Sequence, residues 1–238
     1  MNKEYYNGIG KIMIHTWLEC FSNDYKLHLY LEDFIIEETD SRIIVENWKD
    51  VDDLYKIWEE TRFDDNRKHQ GFTKKALTQI AAFKKLQGEK IFWLDADVIS
   101  IKPIPENFFD RIIEDYPLAV WDWSIKGFES GTVFVNSFHP DWQSINSLYE
   151  ALYIGDKTSA DNTRWFDGEV LEIAVKESGV RYNNLMRYVT KKSSVPINRS
   201  WIGDYIRHYM SHNKRRLEQD LIEEYGRPDL VSLIKGKL

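Results

Sequence analysis

Two aspartates, Asp95 and Asp97, close the apolar run Ile91-Phe92-Trp93-Leu94 with only Ala96 between them. Alternate residues of a strand face one side, so both carboxylates can reach a single cation or its water shell. Oxygen donors select hard divalent ions, which keep several waters and lean on substrate phosphates. The same spacing also serves turns and helix caps, so the chemistry depends on what precedes the pair. Nine tryptophans and thirteen tyrosines supply flat amphipathic rings that suit sugar faces as well as cores. Trp121, Trp123 and Trp165 are expected in loops, where they can stack on a ligand.

The elements that must carry these residues follow from periodicity. Ile9, Ile12, Met13, Thr16 and Trp17 recur at three-and-four spacing and predict one amphipathic helix over residues 4–21. Alternation at 26–31 predicts a strand, 42–46 a second strand, and 52–60 a helix. The helical pattern is strongest over 73–86, and Gly88 ends it. The run 90–94 does not alternate, as a strand covered on both faces requires, which predicts the middle of a parallel sheet. A helix over 106–116 and strands at 118–121 and 132–136 come next, with a loop holding Gly127 and Gly131 between the strands. Helices over 142–153, 167–178 and 213–225 complete the chain. Strands that first alternate with helices and then mix indicate one α/β domain over 1–238, with a helical extension from about 213. Open α/β sheets bind ligands beyond the carboxyl ends of their strands, the edge at which Asp95 and Asp97 stand.

Composition narrows the field. At 238 residues, 42% hydrophobic and 30% charged, the chain can bury a core of its own. A net charge of −7 argues against wrapping nucleic acid, which needs a basic face. Basic residues still cluster at Lys191-Lys192 and Lys214-Arg215-Arg216. A single cysteine, Cys20, excludes an internal disulfide and any zinc site of several thiolates. No apolar stretch approaches the ~20 residues that cross a bilayer. The reading predicts a soluble, cytoplasmic protein without a transmembrane segment.

The string Ile91-Phe92-Trp93-Leu94-Asp95-Ala96-Asp97-Val98 resembles the Asp-X-Asp signature of glycosyltransferases with the GT-A fold. Three further segments stand in that family's order. Phe128-Glu129-Ser130-Gly131-Thr132 is similar to the turn-and-strand that lines the donor sugar, with Glu129 where Asn is commoner. Asp167-Gly168-Glu169-Val170-Leu171 resembles the Asp-Gln-Asp-X-Leu element of the glycogenin-like and galactosyltransferase-like, family 8-like branch. His208-Tyr209-Met210-Ser211-His212-Asn213-Lys214 is similar to that branch's His-X-X-Gly-X-X-Lys, with Ser211 at the glycine.

The resemblance implies a GT-A-like (Rossmann-like), mixed but mainly parallel central sheet flanked by helices in one domain. It implies a metal held by Asp95, Asp97 and His208, and a donor bound by Lys75, Asp95, Ser130, Gly131 and Lys214. Asp167 approaches the donor sugar as the catalytic residue. The cofactor is Mn²⁺ (or Mg²⁺), and an imidazole in the ligand set favours Mn²⁺. The partners implied are a nucleoside-diphosphate sugar, UDP-sugar foremost, and a glycan or other hydroxyl acceptor. The implied chemistry is hexosyl transfer with a lean toward retention, in which the diphosphate itself can take the acceptor proton. Cation and ammonium suit a diphosphate leaving group on which charge grows.

Each residue also has a plainer use. Asp167 is a preferred helix cap, and the two roles are compatible. Lys75 and Lys214 can be solvated, and His208 competes with His212 as ligand. GT-A domains open with a strand ahead of the first helix, and that strand is missing from this chain. Either the start lies inside a longer reading frame or another segment fills the position. Two rival functions remain. A haloacid-dehalogenase-like phosphatase would use Asp95 as nucleophile, although its motif usually lies near the chain start, with Thr or Val where Ile99 stands. A catalytically silent sugar- or nucleotide-binding protein would share the fold.

Overall fold

The computed structural model describes residues 1–36, 40–51, 67–123, 127–154, 167–191, 195–209 and 214–233. The helix expected over 52–60, together with Trp165 and His212, lies outside these. In chain order the elements are α1 (Lys3–Tyr5), a kinked helical turn (Tyr6–Gly10), α2 (Lys11–Cys20), β1 (Leu27–Leu31) and β2 (Ile43–Asn47). Then come α3 (Arg67–Lys85), β3 (Lys90–Leu94), β4 (Val98–Ser100), α4 (Phe108–Ile113), β5 (Leu118–Asp122) and β6 (Phe128–Asn136). The remainder is α5 (Trp142–Ile154), α6 (Asp167–Ser178), β7 (Asn183–Asn184), β8 (Ile206–His208), α7 (Lys214–Glu223) and α8 (Pro228–Val231).

The chain divides into two compact units, each drawn from separated stretches of sequence. Unit 1 comprises Met1–Asn47, Leu94–Glu106 and Tyr188–Leu238, and unit 2 comprises Trp48–Trp93 and Asn107–Arg187.

In unit 1 the helix expected over 4–21 is interrupted by a kink, because Gly8 leaves helical geometry. Asn2 caps the short α1 by accepting from the Tyr5 N–H at 2.8 Å. The apolar stripe of α2 is buried as expected, at Ile12, Met13, Thr16 and Trp17. Ile9 and Ile12 pack with Ile99, Tyr209, Leu217, Leu221 and Leu230, while Met13 and Ile14 pack with Leu29 and Leu31. β1 and β2 form a parallel pair and β4 and β8 an antiparallel one. Ser100 N–H also donates to Thr16 Oγ1 at 3.3 Å, which ties β4 to α2.

Unit 2 is built on a sheet of order β3-β6-β5-β7. β5 runs antiparallel to β6 and parallel to β7, so the sheet is mixed, as expected. The antiparallel β5–β6 pair follows from the short connection from Asp122 to Phe128, since parallel neighbours need a crossover of roughly a dozen residues or more. β3 stands at an end of this order among the described residues, and of its side chains only Ile91 is fully buried. Its unbroken apolar run therefore does not mark a central strand. Phe92 instead stacks on Phe134 with ring centroids 4.1 Å apart. Leu77, Ile80 and Phe83 of α3 fill the core with Trp121, Trp142 and Tyr149, all almost wholly buried. Among the described residues no helix is long and apolar enough to cross a membrane.

Candidate functional site

β3 ends at Leu94, and the two acids sit on the tight turn that follows, closed by Val98 N–H donating to the Asp95 carbonyl at 3.0 Å. The pair is thus brought together by a turn and not by one strand face, which corrects the expected geometry. β4 leaves the turn and pairs with β8, Val98 opposite His208. Tyr209 N–H donates to the Asp97 carbonyl at 2.8 Å, which carries the ladder back onto the turn. Ile101 N–H donates to the Tyr205 carbonyl at 2.7 Å. By the alternation of antiparallel pairing, Val98 and His208 then form a non-hydrogen-bonded pair, where facing residues approach most closely.

The backbone N–H and C=O of His208 turn away from β4 and need other partners. Asn198 supplies both. Its Oδ1 accepts from the His208 N–H at 2.8 Å and its Nδ2 donates to the His208 carbonyl at 2.9 Å, so one side chain stands in for a neighbouring strand. Asn198 lies on the 3₁₀ turn Pro196–Arg199. The next turn packs so closely that a Cβ on Gly203 would fall 2.4 Å from the Ile197 carbonyl oxygen, so only glycine fits there.

His208 Nε2 lies 3.1 Å from Asp97 Oδ1, and the Tyr5 hydroxyl donates to Asp97 Oδ2 at 3.1 Å. Asp97 and His208 are buried, at 6% and 3% exposure, while Asp95 is half-buried. One ligand atom from each of Asp95, Asp97 and His208 lies within 4.8 Å of the others, so the three can hold a metal ion. Neighbouring donors around an octahedral ion with bonds of ~2.1 Å are about 3.0 Å apart. The Asp97–His208 spacing matches that value, and two carboxylates with one imidazole are a plausible set for a first-row divalent ion.

A second polar cluster lies in unit 2. Lys75 Nζ is 3.0 Å from Asp167 Oδ2 and donates to Ser130 Oγ at 3.2 Å. Gln79 Nε2 donates to the Ser130 carbonyl at 3.3 Å, and Tyr149 OH donates to Gln79 Oε1 at 2.8 Å. Burial, with the charges of Tyr153 and Asp167 adding to it, pushes the Tyr149 phenol well above its ordinary pKa, so it stays a donor. Burial likewise raises Tyr153, seconded by the carboxylates of Asp167 and Glu169.

Ser130 and Gly131 were expected at a loop and lie instead within β6, where pairing with β5 slips. Ala119 opposes Phe134, yet two residues on Trp121 opposes Glu129, five residues back. The surplus residues bulge out of the ladder, a device common beside functional sites. Gly131 N–H donates to Glu129 Oε1 at 3.1 Å. A Cβ on Gly168 would fall 1.9 Å from the Phe128 carbonyl oxygen, so glycine alone lets the first turn of α6 approach β6. That contact sets Asp167, only 2% exposed, beside Lys75.

The expected residues therefore fall into two groups. Asp95, Asp97 and His208 meet in unit 1, and Lys75, Ser130 and Asp167 meet in unit 2, with Gly131 beside Ser130. Lys214 opens α7 in unit 1, and its side chain lies outside the described residues. Trp121 is no stacking platform: it is wholly buried on β5, and its indole N–H donates to Thr132 Oγ1 at 2.9 Å. Trp123 is half-buried. Sequence reading missed Tyr5, Gln79, Tyr149 and Asn198. The only signal for Gln79 and Tyr149 was a polar atom on a helix face otherwise given to the core, and for Tyr5 and Asn198 there was none.

No family model matches the chain, and no curated protein matches it. A solved structure described as "PaToxG Glycosyltransferase" is similar at a TM-score of 0.44 and 12% identity, over 74% of this chain and 63% of that one. The chain thus spans less than two thirds of that structure's length. A likeness this loose places no residue, and the functional reading rests on the side chains described above.

Proposed function

We propose that this chain is a metal-dependent glycosyltransferase that moves a sugar from a nucleoside-diphosphate donor, UDP-sugar foremost, to an acceptor hydroxyl. The observation that carries the reading is the convergence of Asp95, Asp97 and His208 donor atoms within 4.8 Å, on a turn and a strand more than a hundred positions apart in sequence. These three residues would hold Mn²⁺ (or Mg²⁺), and Lys214 would meet the diphosphate. A divalent ion bound there supplies positive charge against a diphosphate leaving group. Asp97 and His208 hold their places through the backbone bonds of the β4–β8 ladder and through Asn198, so little reorganisation is needed.

Lys75, Ser130 and Gly131 are assigned to donor binding and Asp167 to the reacting sugar. Their support is the resemblance of their motifs and the way Lys75 joins the others, by an ion pair to Asp167 and a hydrogen bond to Ser130, with Gly131 alongside. In the retaining outcome favoured by those motifs, the anomeric C–O bond to phosphate breaks, a C–O bond to the acceptor forms, and the diphosphate takes the acceptor proton. No dedicated base is then required.

The test is a thermal-shift panel of nucleoside diphosphates with and without Mn²⁺. Ligand at about a hundred times its dissociation constant stabilises the fold by about 2.7 kcal/mol. At about 2–4 °C per kcal/mol, the midpoint rises roughly 5–10 °C. No metal-linked rise with any nucleotide overturns the proposal. Nucleotide binding without donor hydrolysis or transfer would instead support a silent binding protein, and phosphate release from an aryl phosphate, abolished by Asp95→Asn, a phosphatase.

A further inference from the structure

We infer that Gln79 is a positioning residue for the donor sugar: oriented by the Tyr149 hydroxyl, its amide holds the Ser130 carbonyl and so fixes the bulge of β6 that carries Ser130 and Gly131. The inference rests on the donor-binding reading above and adds two residues that act from beneath that site. They form a relay across three elements. Tyr149 OH on α5 donates to Gln79 Oε1 at 2.8 Å, and Gln79 Nε2 on α3 donates to the Ser130 carbonyl at 3.3 Å. Lys75 stands one helical turn before Gln79 and donates to Ser130 Oγ at 3.2 Å, so one face of α3 grips Ser130 at its side chain and at its backbone. The same ammonium pairs with Asp167 at 3.0 Å, and a shift of Ser130 is thereby passed to the residue assigned to the reacting sugar.

A side-chain amide has two ends of similar shape and opposite polarity, and its neighbours decide which end faces which. Burial keeps the Tyr149 phenol protonated, with the charges of Tyr153 and Asp167 adding to the effect, so its hydroxyl donates. Gln79 meets it with oxygen and is left to present N–H to the Ser130 carbonyl. Gln79 and Tyr149 are both at 0% exposure, where bulk water does not compete for either bond. Burying an amide and a phenol costs desolvation that an apolar pair would avoid, so packing alone does not account for them. The backbone they reach is one that needs holding, because pairing with β5 slips between Ala119 and Trp121 and a bulged ladder is locally disrupted.

The test uses the full chain with Mn²⁺ at pH 6 and measures, by calorimetry, the affinity for the nucleoside diphosphate that gives the largest rise in the panel above, UDP foremost, and for its glucosyl, galactosyl and N-acetylglucosaminyl esters. Wild type should prefer at least one ester to the bare diphosphate. In Gln79→Met that preference should fall roughly fivefold, with affinity for the bare diphosphate unchanged. Gln79→Glu separates the hydrogen bond from the packing: burial keeps the introduced carboxyl protonated and able to donate to the Ser130 carbonyl, so its preference should lie nearer to wild type. Tyr149→Phe, which frees the amide to turn, should lower the preference in the same direction, and it decides the matter if the Gln79 variants do not fold. A preference within twofold of wild type in a folded Gln79→Met or Tyr149→Phe, or equal loss in Gln79→Met and Gln79→Glu, overturns the role of Gln79. A wild type that binds the diphosphate but prefers none of its esters overturns the inference and leaves the metal centre standing. One that binds no nucleoside diphosphate with Mn²⁺ overturns the functional reading and the inference with it.

Discussion

Asp97 in unit 1 and Asp167 in unit 2 are both buried acids, at 6% and 2% exposure, yet they keep different company. Asp167 faces the ammonium of Lys75 at 3.0 Å, so its charge is met by a cation of the protein itself. Asp97 faces an imidazole and a phenol, each at 3.1 Å, groups that can serve a carboxylate already bound to an ion. A buried carboxylate paired with an internal cation is costly to break, because the partner is left charged and desolvated. Asp97 is instead one of three side chains whose donor atoms converge as the ligands of an ion do. The difference teaches that equal burial does not mean equal use: the pair in unit 2 is part of what holds the fold, whereas the triad in unit 1 is expected to show its worth when an ion is supplied.

The largest effect that tests this contrast is loss of the unit 2 pair. Asp167→Ala should cost about 3 kcal/mol, at the low end for a buried pair because Lys75 retains some water. At about 2–4 °C per kcal/mol the melting midpoint falls by roughly 6–12 °C. Lys75→Met combined with Asp167→Leu should recover at least half of that, since no charge is then left alone. An equal loss from Asp97→Asn in chelator would erase the contrast and make the triad structural.

Next in size is the ion-linked term. Asp97→Asn should abolish the rise of roughly 5–10 °C that Mn²⁺ and nucleotide produce together, with the ligand-free midpoint within a few degrees of wild type. A full rise retained in Asp97→Asn would remove Asp97 from the ligand set. A smaller change comes from Tyr209, whose hydroxyl is 3.0 Å from Asp220 Oδ2 and 2.9 Å from the Tyr225 hydroxyl. Tyr209→Phe should lower the midpoint by roughly 2–4 °C, about 1 kcal/mol for lost hydrogen bonds. The ion-linked rise should survive, which separates packing beside His208 from ligation by it.

The least effect on stability belongs to Cys20, also in unit 1. Burial, with Glu19 adding to it, pushes its thiol from 9.0 up to about 11. The neutral thiol is favoured in the fold, so its contribution is complete below pH 9.0 and is lost as pH rises through about 11. Two pH units mean about a hundredfold less thiolate at pH 8. Alkylation by iodoacetamide at pH 8 should therefore be about a hundred times slower in the native chain than in guanidinium. Equal rates would show that the end of α2 opens freely.

Much of the local structure was legible in the residues. The stripe of α2, the helical pattern of α3 and the apolar run of β3 each carry their period within a few turns or one strand, and periodicity of that kind survives folding. The acids at 95 and 97 and the Asp-Gly-Glu string at 167 were likewise visible as motifs. The sheet was misread where the decisive quantity was non-local. An apolar run reads the same at an edge as in a centre, and the slip that places Ser130 and Gly131 in a bulge appears only when β5 pairs with β6.

What the sequence determined by itself was therefore which groups are present and which short elements bear them, since helical and strand periods are set by neighbours along the chain. What tertiary structure decided was company. The pairing of β4 with β8 brings His208 to Asp97, Asn198 meets the backbone groups of His208 that face away from β4, Tyr5 reaches across 92 positions to Asp97 Oδ2, and Trp121 is buried rather than offered to a ligand. Contacts between distant residues depend on register and burial, which no local pattern encodes.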